Sequence, residues 1–206
     1  ADLVVFPRVL QPLHVFEPRY RAMLADALAD DRLIAMARYV DPGSSLAPGQ
    51  PALHSMGCLG RVTQSELLPD GRSNLLLACL LRVQIVEELS SDKLYREARV
   101  EVCHDHYAVE RAADREARHE RLLEAFLRKV TGETDESLKR ELAPSRMQLG
   151  SLTDIVAYTL PLDSAFKQQL LEELDVDRRA DLLQARLQPE EAKNQPRRFP
   201  PDFSAN

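Results

Sequence analysis

The 206 residues contain no tryptophan, five tyrosines, only seven glycines and three cysteines. Each scarcity excludes something. The odd and widely spaced Cys58, Cys79 and Cys103 do not make a disulfide framework and suit a reducing compartment such as the cytoplasm. None of the seven glycines is followed by Lys-Ser or Lys-Thr, so there is no P-loop, and neither GxGxxG nor GxSxG occurs. No apolar run approaches the ~18–20 residues that span a bilayer, so no membrane association is expected. No signal-peptide pattern opens the chain, although Ala1 in place of Met leaves an earlier trim open. A net charge of −6 and the lack of tryptophan for base stacking weigh against nucleic acid.

What is present is an ordinary globular composition, 44% hydrophobic and 29% charged, so no metal or disulfide is needed to hold the fold. The hydrophobic period changes midway. The first half carries short alternating runs, "VVF", "LHVF", "LIAMARYV", "CLGRVTQSELL", "SNLLLACLLRVQIVEEL" and "YREARVEVCHDHY". Pro69-Asp70-Gly71 supplies hairpin chemistry between two of them. One helix interrupts, with Pro18 at its first position and Tyr20, Met23, Leu24, Ala27 and Leu28 on one face. From about Val109 to Val130 the period becomes helical, with a stripe of Leu122, Leu123, Phe126, Leu127 and Val130, stopped by Gly132. Further helices are "DESLKREL" before Pro144, "LTDIVAYTL" capped by Ser151, "SAFKQQLLEEL" capped by Asp163, and "DRRADLLQARL" before Pro189. Strands followed by helices make the fold class α+β. The expected division is a β-rich subdomain at 1–107, a helical bundle at 108–188 and an irregular tail at 189–206.

Reactive constellations are few. "CHDH", Cys103 to His106, is the one cluster of metal-type ligands, with His14 and His54 as conceivable additions. His104 and His106 share a strand face and Cys103 opposes them; two ligands do not make a zinc site, and a strand end with partly exposed histidines is the plainer reading. No metal, cofactor or catalytic residue is therefore expected. The stretch "PLHVFEPRYR" reads as the joint between a strand and a helix. Pro12, Glu17 and Pro18 set the backbone, and Leu13, Val15 and Tyr20 are core candidates. Glu17 sits where a helix N-terminus favours negative charge, and a buried pair between it and Arg19 or Arg21 is expected to fix the corner.

These words resemble a family. "VVFPRVLQPLHVFEPRYRAMLADAL" is similar to the opening of the Lon protease amino-terminal, or substrate-binding, domain, with Pro12, His14, Phe16, Glu17, Pro18, Arg19 and Tyr20 as its motif residues. "GCLGRVTQSELLPDGRSNLLLACLLRVQI" and "YREARVE" resemble the following strands. "GSLTDIVAYTLPLDSAFKQQLLEELDVDRRADLLQARL" resembles the helical part. The resemblance covers residues 3 to 188. It implies a small PUA-like β-barrel followed by an α-helical bundle, related to the Lon-like domain of cereblon in a ubiquitin-ligase receptor. It also implies binding of unfolded or client polypeptides, with a separate ATPase or protease as a candidate partner. Because the 206 residues hold no counterpart of a Walker motif or a Ser-Lys peptidase module, the expectation is a stand-alone, non-catalytic binding module.

The alternatives are an RNA-binding PUA-like protein and a hydrolase with a scattered site; oligomeric state stays open. Client binding is expected near the Pro/Gly-rich loop from Asp41 to His54. The tail "QPRRFPPDFSAN" is expected to lie across an apolar groove, anchored by Phe199 and Phe203.

Overall fold

The computed structural model describes residues 3–40, 51–131, 136–143 and 145–187. The expected stops at Gly132, Pro144 and Pro189, most of the Asp41–His54 loop, and the anchors Phe199 and Phe203 lie outside the described residues. Among the described residues five strands form one antiparallel sheet: β1 Leu10–Val15, β2 Leu33–Met36, β3 Met56–Leu67, β4 Ser73–Leu89 and β5 Glu97–Cys103. The order is β1-β4-β3-β2, with β5 pairing the far end of β4. No pairing among the described residues joins β2 to β1 or β5, so what they establish is a five-stranded sheet and not the closed barrel that the resemblance implies.

The β3–β4 hairpin follows its turn chemistry. Gly71 adopts φ +80°, a conformation that a Cβ would strain. Asp70 Oδ1 accepts from the Arg72 N–H at 3.0 Å, and Leu68 and Arg72 close the turn through the backbone. At the N-terminus "VVF" departs from expectation. Val4, Val5 and Phe6 are buried but make no strand. The chain instead kinks at Arg8, φ +65°, where its N–H donates to the Cys79 carbonyl at 2.7 Å.

Helix α1, Pro18–Ala29, lies between β1 and β2, and Pro18 occupies its first turn as expected. A 3₁₀ turn, Val109–Asp114, precedes α2, Arg115–Thr131, so the long helical run begins six residues late as an α-helix. Leu122, Leu123, Phe126 and Leu127 are buried, but Val130 is 47% exposed and leaves the stripe. Helices α3, Glu136–Glu141, α4, Leu149–Thr159, α5, Ser164–Glu172, and α6, Val176–Leu187, follow among the described residues. Asp163 caps α5, its Oδ1 accepting from the Phe166 N–H at 2.8 Å. Ser151 does not cap α4. That helix starts three residues earlier, with Gln148 as its cap, because Leu149 and Gly150 are already packed inside.

Two apolar clusters result. The inner face of the sheet packs on α1 through Val15, Leu24, Val62, Leu75, Leu77 and the adjoining thiols of Cys58 and Cys79. Helices α2 to α6 surround Leu122, Leu127, Leu152, Leu170 and Leu183, and Val4, Phe6 and Met56 cross over to join them. No described helix is long and apolar enough to cross a membrane.

Candidate functional site

The period of two along β1 sends Gln11, Leu13 and Val15 inward and Leu10, Pro12 and His14 outward. Phe16 follows on, 59% exposed, with its ring stacked 6.2 Å from that of His14. His14 Nδ1 lies 2.8 Å from Asn74 Oδ1. Opposite Leu10 and Pro12 stand Ala78 and Leu76 of β4, both half-buried. Leu10, Pro12, Leu76 and Ala78 thus make an apolar outer face with Phe16 at its end. The other edge of β1 carries no strand among the described residues; there the Tyr158 hydroxyl donates to the Leu10 carbonyl at 3.4 Å.

At the corner, Arg19 and Glu17 do pair, Nε to Oε2 at 2.8 Å. The pair is not buried. Its side chains are 45% and 37% exposed, because the helix start points both outward. Glu17 makes no side-chain cap. Arg19 lies over the half-buried Tyr20 ring, 4.5 Å from its centroid, and burial together with Tyr39 pushes the Tyr20 phenol up. An exposed pair contributes about 0–1 kcal/mol. Glu17→Ala should therefore shift the unfolding free energy by less than about 1 kcal/mol, measured by urea titration. A loss of several kcal/mol would show that the corner depends on this carboxylate.

The ion pairs that are buried lie elsewhere. Arg82 of β4, 2% exposed, places Nη2 2.5 Å and Nη1 3.1 Å from the two oxygens of Asp154 of α4, which is wholly buried. Its Nε donates to the Leu171 carbonyl at 3.0 Å. Arg179 of α6, also wholly buried, donates to Asp105 Oδ1, Thr153 Oγ1 and the Glu173 carbonyl, each at 2.8 Å. The half-exposed Arg8 guanidinium closes over the top, 3.6 Å from Asp154 and 4.0 Å from Asp105. Burial opposes the Arg82 charge, yet Asp154 and Asp105 outweigh it and hold the guanidinium above its usual range. The network joins β4, the segment after β5 and helices α4, α5 and α6. Sequence reasoning missed it, although the signal was visible: Arg82 interrupts "LLLACLLRVQI" and Asp154 interrupts "SLTDIVAYTL". In "CHDH" the residue that matters is Asp105. His104 and His106 are exposed, His14 lies near Asn74 and Arg72, and His54 lies near Arg38 and Glu172. Among the described residues no group of three or more His, Cys, Asp or Glu converges as a metal site.

A groove of about 440 Å³ opens beside the network, between the start of α2 and the start of α4. Tyr107, Met147 and Leu149 give it apolar walls, and Arg115, Glu116 and His119 line it from α2. Gly150 shapes one side. A Cβ there would come within 2.4 Å of Asp105 Oδ2 and 2.7 Å of the Tyr107 hydroxyl. His119 is 2% exposed, with both ring nitrogens buried. Burial lowers its pKa; the Met147 backbone and Glu120 and Glu116 push the other way without offsetting it.

The family model for the ATP-dependent protease La (LON) substrate-binding domain matches residues 1–188. A Lon protease of Xanthomonas oryzae pv. oryzae is 31% identical over 192 residues, covering 88% of this chain and 21% of that protein. A Lon protease of Dictyoglomus thermophilum is 28% identical over 181 residues, covering 86% of this chain and 22% of that protein. The chain thus spans about a fifth of the length of these curated relatives. Among solved structures, the N-terminal domain of a Mycobacterium avium complex Lon protease superposes with a TM-score of 0.70 at 22% identity, covering 90% of this chain and 93% of that one. A Lon N-terminal domain protein from Xanthomonas campestris gives 0.63 at 21% identity, with 90% and 94% covered. Both likenesses support the fold, an antiparallel sheet followed by helices.

Proposed function

Because the chain belongs to the family of the ATP-dependent protease La (LON) substrate-binding domain, we propose that these 206 residues form a polypeptide-binding module without chemistry of its own. In this reading it holds unfolded or client polypeptide, and unfolding and cleavage fall to other modules or partner proteins. The reading keeps a β-rich, PUA-like subdomain over 1–107 and a helical one over 108–188, supported by the two apolar clusters, with Val4, Phe6 and Met56 bridging them.

The observation that carries the binding surface is the outer face of β1. An apolar face beside a strand edge that no described strand pairs suits an extended polypeptide. In this mode an added strand hydrogen-bonds the edge through those backbone groups not already taken, as the Leu10 carbonyl is by Tyr158 and the Pro12 carbonyl by Gln11, and its alternate side chains extend the apolar face. It also gives Pro12, His14 and Phe16 a use that a purely structural joint does not need, since all three are exposed. Binding of RNA would call for cationic and aromatic side chains, whereas Leu10, Pro12, Leu76 and Ala78 supply aliphatic surface.

The test is capture of a permanently unfolded probe, reduced and carboxymethylated α-lactalbumin, followed by fluorescence anisotropy. Leu10→Asp combined with Phe16→Asp should weaken binding at least about tenfold, since burying one such side chain is worth ~1.5–3 kcal/mol. Leu94→Asp, at an equally exposed leucine beyond β4, should leave it unchanged. Equal binding by all three proteins would remove β1 as the surface.

A further inference from the structure

We propose that Tyr158 and Gln11 guard the open edge of β1, each holding a backbone carbonyl that a bound strand must take over, so that the partner they admit is an extended polypeptide with free amide N–H groups. This rests on the polypeptide-binding reading and adds to it how the strand is joined and what holds it off.

The ladder shows which groups face the edge. The Cys79 N–H donates to the Val9 carbonyl at 2.9 Å, and β1 continues from there along β4 in unbroken register, from Leu10 opposite Ala78 to Val15 opposite Ser73. Hydrogen-bonded pairs alternate along an antiparallel ladder. Gln11, Leu13 and Val15 therefore turn their backbone groups to β4. Leu10, Pro12 and His14 turn theirs to the other side, where no described strand lies. Pro12 has no N–H to offer there. Two of the three carbonyls on that side are held: Leu10 by the Tyr158 hydroxyl at 3.4 Å, and Pro12 by Gln11 Nε2 at 2.8 Å.

Satisfaction alone does not call for either bond. Leu10 and Pro12 are exposed, and water serves an exposed carbonyl about as well as a side chain does. Yet Tyr158 reaches β1 from α4, 148 positions along the chain. Its half-buried ring packs against both apolar clusters, and Lys167 Nζ donates to its carbonyl at 3.1 Å, so a fixed side chain delivers the hydroxyl. An open edge beside an apolar face pairs with any strand that arrives, a second copy included, and a proline with side-chain cover restrains that. The cover is exchangeable. A contact of 3.4 Å is near the long limit of a hydrogen bond and yields to a well-placed amide N–H. Among the described residues no hydrogen bond from outside the ladder reaches the His14 backbone, so an arriving strand has a place to begin. A chain without amide N–H groups can replace neither guard.

A guard that closes the edge part of the time lowers the apparent affinity by the fraction left open. One modest hydrogen bond makes that about twofold to tenfold. The experiment compares the unaltered chain with Tyr158→Phe, which keeps the ring and its packing, with Gln11→Met, which keeps the length outside both clusters, and with the double variant. Three probes are used: reduced carboxymethylated α-lactalbumin, a labelled peptide of alternating Thr and Val, and the same peptide with its central amides N-methylated, which removes the N–H donors from both of its edges. Each single variant should bind lactalbumin and the free-amide peptide about twofold to tenfold more tightly than the parent, and the double variant more tightly still. Binding of the methylated peptide should be the same for all four proteins, and all four should melt within a few degrees of one another. If the parent binds lactalbumin and the variants gain nothing, or gain equally on the methylated peptide, there is no guard and the polypeptide lies on the apolar face without pairing the edge. If neither the parent nor the variants bind lactalbumin or the free-amide peptide, the polypeptide-binding reading itself fails.

Discussion

Replacing Arg82 by Met should lower the unfolding free energy by about 3–5 kcal/mol, the cost of leaving a buried carboxylate without its partner. Asp154 is wholly buried, and Arg82 supplies two of its hydrogen bonds. Methionine fills much of the same length and donates nothing. Arg179 cannot take over, because its own donors are spent on Thr153, Asp105 and the Glu173 carbonyl, and its Nε stays 3.8 Å from Asp154. Arg82→Lys should recover only a part, since one ammonium cannot reproduce the guanidinium fork that also reaches the Leu171 carbonyl. Urea titration followed by circular dichroism reads the loss, which in a domain of this size appears as a drop in Tm of roughly 6–20 °C. A change below about 1 kcal/mol would mean that water enters and solvates Asp154. The network is better regarded as fixing how the helices meet the sheet than as a net source of stability, because desolvation offsets most of the attraction inside it.

Gly150→Val should be the second severe change, at or above the upper end of the ~1–3 kcal/mol that overpacking costs. The first added carbon would already stand 2.4 Å from Asp105 Oδ2, 2.7 Å from the Tyr107 hydroxyl and 3.3 Å from Val176. Asp105 is tied to Arg179 and Tyr107 lines the groove, so neither can withdraw without a loss elsewhere. Gly150→Ala should fall between parent and Val, since the better helix propensity of alanine, about 1 kcal/mol, works against the clash. Thermal melts of the three proteins check the order. A valine variant as stable as the parent would show that α4 can slide away from the Asp105 segment.

How much of this was legible beforehand depends on range. The Pro69-Asp70-Gly71 hairpin, the Pro18 helix start and the Asp163 cap are set by residues within a few positions of one another, and each lies where local chemistry puts it. The start of α4 was misplaced because Ser151 is a fair local cap, while burial of Leu149 and Gly150 against distant segments overrode it. Val130 failed for the same reason: the helical period continues past Phe126 and Leu127, but the surrounding helices no longer cover that turn. The pairing of Glu17 and Arg19 follows from their spacing; their exposure depends on how the corner sits on the sheet.

The sequence by itself determined the α+β class, the change of period near residue 108 and the family motif, because alternation, helical spacing and turn residues are written in neighbouring positions. Only the tertiary structure decided that Pro12, His14 and Phe16 share an outward face, since strand register comes from pairing with β4. It alone brought Arg8, Arg82, Asp105, Asp154 and Arg179 together across as many as 171 positions of chain, and buried the His119 ring beside an open groove. Burial and hydrogen-bond satisfaction are properties of what surrounds a residue in space, and a linear pattern records only what surrounds it in order.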